Sequence, residues 1–310
     1  KFLCGVCIHI VAVYHLRYNE KHMQVIRASL IVSVLTVLFL TWCVAAQNYS
    51  RPEEGMLTVA FLDVGQGDAI FIESPSGTQV LIDGGKDSSV LSELSHLMGF
   101  FDRDIDMILA THADADHVGG LVDVLSNYRV DTIVMTENVS KTPAFSAFKE
   151  TATRESAKII FTRRGHVYDL GSGIAGSTTL TILFPDVDPT DFETNTASIV
   201  AKLTYGDTEY LLMGDAPSAI EEYLVTRDGA LLQSDVLKMG HHGSDTSSSA
   251  VFLAAVRPRI GIISAGEDNS YGHPHKAVLE RLVAENIPYK NTAESGGIVS
   301  VSDGKEIWFR

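Results

Sequence analysis

DMILATHADADHVGG (106–120) joins an apolar strand pattern to a loop that carries four potential metal ligands within six residues: His112, Asp114, Asp116 and His117. A loop between a strand and a helix can turn alternate side chains to one side, which suits a compact cation site built from imidazole and carboxylate. The adjacent acids also make the local potential negative, which favours a divalent ion. The cluster is bounded by the apolar strand on one side and by Gly119-Gly120 on the other, and a helix follows.

Outward from this loop, residues of the same chemistry recur where apolar runs meet glycine. Asp83 ends VLIDGG, Asp215 ends YLLMGD, His241 and His242 follow VLKMG, and His273 and His275 lie in YGHPH. One aspartate in such a place is as readily a turn or cap residue. With the 112–117 loop these make five such places in one chain, all filled by His and Asp, and they point to a shared metal centre at the strand ends.

The surrounding pattern predicts an α/β chain. MLTVAFLDV, AIFIES and TQVLID read as a meander of short strands. Helical patterns at 90–98, 118–128 and 145–154 then alternate with the strands DMILAT and DTIVMT. A second β-rich block (VYDL, TLTILF, SIVAKLTY, TEYLLMG) precedes helices at 219–225, 250–256 and 277–285, the strands SDVLKMG and RIGIIS, and the closing IVSVS and EIWFR. Two blocks of this kind suggest two sheets face to face with helices outside. Residues 56–310 read as one domain with no low-complexity linker.

Composition narrows the function. At 310 residues, 45% hydrophobic and 20% charged, the chain can bury a large core and is not of a disordered class. Cys4, Cys7 and Cys43 all precede residue 56, so the later region has neither disulfide nor thiolate metal site. Residues 56–310 hold 19 basic and 36 acidic side chains, a net −17, which excludes a broad basic DNA-binding face. Lys238, Arg257, Arg259, Lys276 and Arg281 run against that trend and read as solvated faces. The Ser/Thr run at 246–249 reads as the cap of the helix from Ala250.

Residues 28–46 (ASLIVSVLTVLFLTWCVAA) carry no charge, and at 1.5 Å per residue they span roughly the hydrocarbon of a bilayer. Arg17, Lys21, His22 and Arg27 flank the N-side, so the positive-inside rule leaves the later domain outside the cytoplasm. The expectation is a membrane segment over 1–55 with a single span at 28–46, in the cell membrane. A cleaved signal starting at Met23 is the rival, and it would make the domain secreted. Phe2 to Tyr14 is a further apolar stretch, and Cys4-x-x-Cys7 within it reads as membrane filler.

His112-x-Asp114-x-Asp116-His117 resembles the His-x-His-x-Asp-His signature of the metallo-β-lactamase superfamily. LDVGQGDA (62–69), VLIDGG (80–85), THADADHVGG, LLMGD (211–215), LKMGHHGS (237–244) and YGHPH (271–275), in this order, resemble the metallo-β-lactamase-like C-terminal domain of the ComEC family of DNA-uptake proteins. The resemblance covers 56–310. It implies a four-layer αββα sandwich after an N-terminal transmembrane helix, and a metal-dependent hydrolase outside the cytoplasmic membrane. It also implies one or two divalent ions (Zn²⁺ or Mn²⁺), with DNA or another phosphodiester as substrate and an uptake channel as partner. Asp116, His117 and one of His241 and His242 would hold one metal, Asp215 would bridge, and His112 and Asp114 would face a second position. Asp83 would orient a ligand histidine. Asp116 and His273 (or His275) are the catalytic candidates, His273 as general acid for the leaving oxygen.

Two departures bear on this. Asp114 stands where the superfamily has histidine, and Asn195 is the nearest polar residue to the place of another missing histidine. A position with one imidazole and otherwise oxygen donors suits harder ions such as Mn²⁺ or Mg²⁺ better than zinc. One firm and one weak position are therefore expected. The alternatives are a non-catalytic DNA-binding or gating module, and a metallohydrolase of another substrate such as a β-lactam or a phosphocholine ester.

Overall fold

Along Gln79–Ile82 successive side chains point to opposite faces, and both faces are buried: Val80 and Ile82 pack between two sheets, while Leu81 packs against helices. The same holds at Val236–Lys238, where Val236 faces the other sheet and Leu237 the outer helices. Strands apolar on both faces are a consequence of helix-covered parallel sheet. Truncating Leu81 or Leu237 to Ala in such surroundings costs about 2–5 kcal/mol.

The computed structural model describes residues 22–42, 55–99 and 101–310, and the chain divides into two units, Lys1–Arg51 and Pro52–Arg310. In the first unit, α1 (His22–Trp42) is a 21-residue helix of mean hydropathy 2.1, long and apolar enough to cross a membrane, with its side chains exposed. It starts earlier than the expected 28–46; residues 43–46, the stretch 2–14 and the three cysteines lie outside the described residues.

The second unit has two sheets. The first contains β1 (Leu57–Phe61), β2 (Ile70–Glu73), β3 (Gln79–Ile82), β4 (Asp104–Leu109), β5 (Arg129–Met135) and β6 (Lys158–Phe161). The second contains β7 (Val167–Gly173), β8 (Gly176–Phe184), β9 (Val200–Tyr205), β10 (Thr208–Leu212), β11 (Val236–Lys238), β12 (Ile260–Ile263) and β13 (Tyr289–Asn291). The hairpin β14 (Ile298–Ser302) and β15 (Ile307–Phe309) returns to the first sheet beside β1, giving the order β15-β14-β1-β2-β3-β4-β5-β6. Each sheet begins antiparallel and becomes parallel, at β3–β4 and at β10–β11.

Helices α2 (Ser89–Leu97), α3 (Ala115–Val118), α4 (Leu121–Asn127) and α5 (Pro143–Arg154) make the crossovers of the first sheet. Helices α6 (Ser218–Asp228), α7 (Ala250–Val256) and α8 (Lys276–Ala284) make those of the second, and α9 (Thr292–Ser295) precedes β14. Three apolar clusters result: one between the sheets and one under each helical layer, which is the four-layer αββα arrangement. Thr142 caps α5 through Phe145 N–H with Pro143 in the first turn, and Ser249 caps α7 through Phe252 N–H, as its Ser/Thr run implied.

The helix expected over 118–128 is α4, which starts later, and Ala115–Val118 forms a separate short piece, α3, parted from it at Gly119-Gly120. Packing causes the break. The loop after Asp83 runs against this point, and a Cβ on Gly120 would meet Gly84 O at 2.1 Å. The strand β6 was not in the sequence pattern; it is a short, largely exposed edge strand.

Candidate metal centre

The C-terminal ends of β3, β4, β10 and β11 converge, which is where open α/β sheets place ligands. β3 delivers Asp83, a buried non-glycine residue at φ 58°. Its carboxylate accepts from Thr111 N–H (2.8 Å), Thr111 Oγ1–H (2.6 Å) and His117 Nδ1–H (2.8 Å). That last bond fixes the His117 tautomer and leaves Nε2 free as a donor atom. The Thr111 hydroxyl, already donating to Asp83, can accept from His112 Nδ1–H at 3.0 Å, so His112 Nε2 is freed in the same way.

After β11 the chain enters a short 3-10 turn, Gly240–Gly243, with His241 and His242 both left-handed at φ 47° and 54°. Each costs about 1–3 kcal/mol relative to ordinary backbone. The turn separates the two rings. His242 is buried, its Nδ1–H donating to Ser264 O (3.0 Å), whereas His241 is partly open and bonds Thr246 Oγ1 through Nδ1 (3.1 Å).

Asp215 is the hub. His117 Nε2 lies 3.3 Å from Oδ1; His242 Nε2 lies 3.4 Å, and His112 and His241 Nε2 each 3.8 Å, from Oδ2. Asp116 Oδ2 is 3.5 Å from His242 Nε2, and Asp114 Oδ2 is 3.8 Å from His112 Nε2. Asn195 Nδ2 lies 3.4 Å from His241 Nε2. The structure thus brings together His112, Asp114, Asp116, His117, Asp215, His241 and His242, with Asp83 behind His117 and Asn195 beside His241. His273 stands at the rim, its ring 5.5 Å from that of His241 and 6.3 Å from that of His242. His275 is used elsewhere: its exposed ring caps α8 through Ala277 N–H and lies 3.9 Å from Asp245.

The electrostatics follow from burial against charge. Burial works against ionised Asp215, but His242 and His117 outweigh it and hold the carboxyl well below its ordinary range. Burial likewise disfavours charge on His117 and His242; Asp215, with Asp83 for one and Asp68 for the other, reverses this and raises both well above the usual value. For His112 the balance goes the other way: burial and then His117 outweigh the pull of Asp215 and Asp116 and lower it to about 3. Burial raises Asp114, with a smaller push from Asp116. Burial also opposes charge on Asp116, but the His242 and His117 imidazoles beside it keep it below the usual range. Burial, His242 and His241 lower His273.

Buried Nε2 of His112, His117 and His242 and Oδ1 of Asp215 have no hydrogen-bond partner. Unpartnered buried polar atoms are rare in folded proteins, and four of them facing one another fit a cation. Asp68, His117, Asp215 and His242 each offer an atom within 4.8 Å of the others and could hold a divalent metal. Asp68, however, meets the His242 ring at Nδ1 (3.2 Å), on the side away from the freed nitrogen.

Asp68 and Lys238 are the residues that sequence reasoning missed. Lys238 is not on a solvated face: it is fully buried on β11, 2.8 Å from Asp68 Oδ2. The available signal was a lone charge in the apolar run VLKMG and an acid closing the turn GQGD. Arg281 is also only partly exposed and donates to Ser247 O and Ser248 O.

Residues 62–267 match the metallo-beta-lactamase superfamily, and the chain belongs to that superfamily. Within it, the chain resembles competence proteins. It is 28% identical over 283 residues to ComE operon protein 3 of Bacillus subtilis, covering 86% of this chain and 34% of that protein. It is 30% identical over 253 residues to competence protein ComA of Neisseria gonorrhoeae, covering 80% and 33%. The chain spans about a third of the length of these curated relatives. The crystal structure of the metallo-beta-lactamase fold protein YhfI from Bacillus subtilis shares the fold, with a TM-score of 0.53 at 12% identity, over 81% of this chain and 100% of that one.

Proposed function

We propose that the chain is a metal-dependent hydrolase of phosphodiester bonds that acts on DNA during its uptake. It is held in the cell membrane by α1, with the hydrolase domain on the extracytoplasmic side. One observation carries this: the buried, unpartnered Nε2 atoms of His112, His117 and His242 around Asp215. The similarity to a competence protein supports DNA as substrate, and the basic residues on the N-side of the uncharged run 28–46 (Arg17, Lys21, His22, Arg27) support the orientation.

Asp116, His117 and His242 would hold the firmer ion, with Asp215 shared. His112, Asp114 and His241, with Asn195, would face the second. Each set offers two imidazoles and, with Asp215, two carboxylates, which suits Zn²⁺ or Mn²⁺; Asn195 adds an amide to the second. The metal would supply Lewis acidity, lowering the pKa of water and neutralising charge on the phosphoryl group.

The chain's own residues do the rest. Asp83 and Thr111 hold the His117 and His112 rings in their donor tautomers. Asp116, kept ionised and partly open to solvent, accepts a proton from water approaching the phosphate. His273 has a buried, unpartnered Nδ1, and Asn269 grips its backbone at both N–H and C=O. With its pKa lowered, the ring is neutral at pH 7, so it serves the leaving oxygen as a hydrogen-bond donor more than as a proton store.

The test is cleavage of single-stranded DNA and of bis-p-nitrophenyl phosphate by the full chain with Mn²⁺ or Zn²⁺. Cleavage lost in His117→Ala supports the proposal. Metal-loaded protein that binds DNA and cleaves neither compound refutes it and leaves a binding or gating module.

A further inference from the structure

Two sheets must meet correctly for this site to exist. Asp116 and His117 come from the loop after β4 in the first sheet, and Asp215 and His242 follow β10 and β11 in the second. One ion pair crosses between these halves beside the site. Lys238, the one lysine buried among the described residues, points between the sheets from the last position of β11, with Leu212 and Ile262 as strand neighbours. Its ammonium donates to Asp68 Oδ2 (2.8 Å) and to Met239 O (3.0 Å).

Asp68 belongs to the turn between β1 and β2, and its backbone is tied to the ligand loops: Asp68 N–H donates to Asp116 O (3.3 Å) and Gly85 N–H to Asp68 O (2.8 Å). Gly67 permits that approach, at φ +133° with a Cβ position 2.2 Å from Asp116 O. The other carboxylate oxygen, Oδ1, lies 3.2 Å from His242 Nδ1, whose hydrogen goes to Ser264 O. His242 therefore has a carbonyl that fixes its tautomer and a buried negative charge beside the same nitrogen. A fully buried ion pair is weak evidence for stability, because apolar residues of similar volume do as well. Its placement against a ligand histidine is what calls for an explanation.

We propose that Asp68 is a positioning residue for His242, and that Lys238 is the clamp that holds Asp68 in that role. Asp68 places negative charge behind the imidazole and strengthens Nε2 as a donor, as carboxylates behind ligand histidines do. Lys238 occupies the second carboxylate oxygen, so Asp68 stays at Nδ1 and does not swing in as a ligand itself. This rests on the metal-centre proposal above.

The experiment compares the wild-type chain with Asp68→Asn, Lys238→Met and the double variant, in detergent. Each single variant strands one buried charge and lowers the melting temperature, and the double variant regains most of that loss. Titration with Mn²⁺ alone then gives a Kd raised about 10–100-fold in the double variant. Long-range ¹H–¹⁵N spectra of the metal-free proteins show the His242 ring nitrogens shifted. A double variant of recovered melting temperature with wild-type Mn²⁺ affinity and unmoved His242 signals overturns the proposal. Should the double variant not fold, Asp68→Asn and Lys238→Gln decide: both melt lower, both lose Mn²⁺ affinity and both shift the His242 ring signals, whereas wild-type affinity in Asp68→Asn overturns the positioning role and wild-type affinity in Lys238→Gln overturns the clamp. Wild type that binds no metal fails the metal-centre proposal instead, while the metal-free spectra still read the Asp68–His242 contact.

Discussion

The two sides of Asp215 are built to different standards. On one side, His117 and His242 are buried and each ring is backed by a carboxylate, Asp83 at 2.8 Å and Asp68 at 3.2 Å. On the other, the buried His112 is backed only by the Thr111 hydroxyl and the partly open His241 only by that of Thr246, while the carboxylates Asp116 and Asp114 are comparably open on the two sides at 29% and 35%. The first side restricts its donors before any ligand arrives, and the second leaves part of that ordering to be done on binding. Pre-ordered donors bind more tightly because less entropy is lost. On this contrast rests the proposal that Asp215 is shared between one firm and one weak cation position.

The largest effect expected comes from removing a donor on the firm side. His117→Ala or His242→Ala lowers Mn²⁺ or Zn²⁺ affinity by more than the 10–100-fold typical of losing an outer partner, and phosphodiester cleavage disappears; calorimetric titration and a chromogenic assay check both. Asp83→Asn comes next, with metal affinity reduced about 10–100-fold while the ligands stay in place. An unchanged Kd would remove the asymmetry argued above. Asn195→His works in the opposite direction, because it adds an imidazole on the weak side: a second Zn²⁺ should bind about 10-fold tighter, seen as a second step in the titration.

The smallest effect lies away from the centre. Burial, reinforced by Asp102, pushes the Glu73 carboxyl up to about 7. Its folded value exceeds the unfolded one, so the associated stability is present in acid, below about 4.5, and is lost as pH rises through 7. Glu73→Gln should therefore raise the melting temperature at pH 8 by about 1–2 °C and leave it unmoved near pH 4.5, with no change in metal affinity. A shift in metal affinity would mean that the two regions are coupled.

The fold was legible because both sheets alternate buried faces: Val80, Leu81 and Ile82, or Val236 and Leu237, announce strands covered on two sides. The convergence of His and Asp was legible because the αββα topology gathers the C-terminal ends of its parallel strands. The break at Gly119-Gly120 was not, since it depends on the loop at Gly84 pressing against it. Which of His241 and His242 turns inward was decided by two left-handed residues, which no side-chain pattern reports. Asp68 and Lys238 stayed hidden for a related reason: their contact spans 170 positions, and a sequence states a charge without stating whether water reaches it.

That separation along the chain has a consequence in time. The side chains around Asp215 come from turns between Asp68 and Ser264, so a growing or threading polypeptide holds no complete cradle until most of the second sheet has formed. A cation that needs the finished cradle is taken up only when folding ends. The identity of an ion bound there would then follow the metal pool of whichever compartment hosts that last step, and not the one in which translation began.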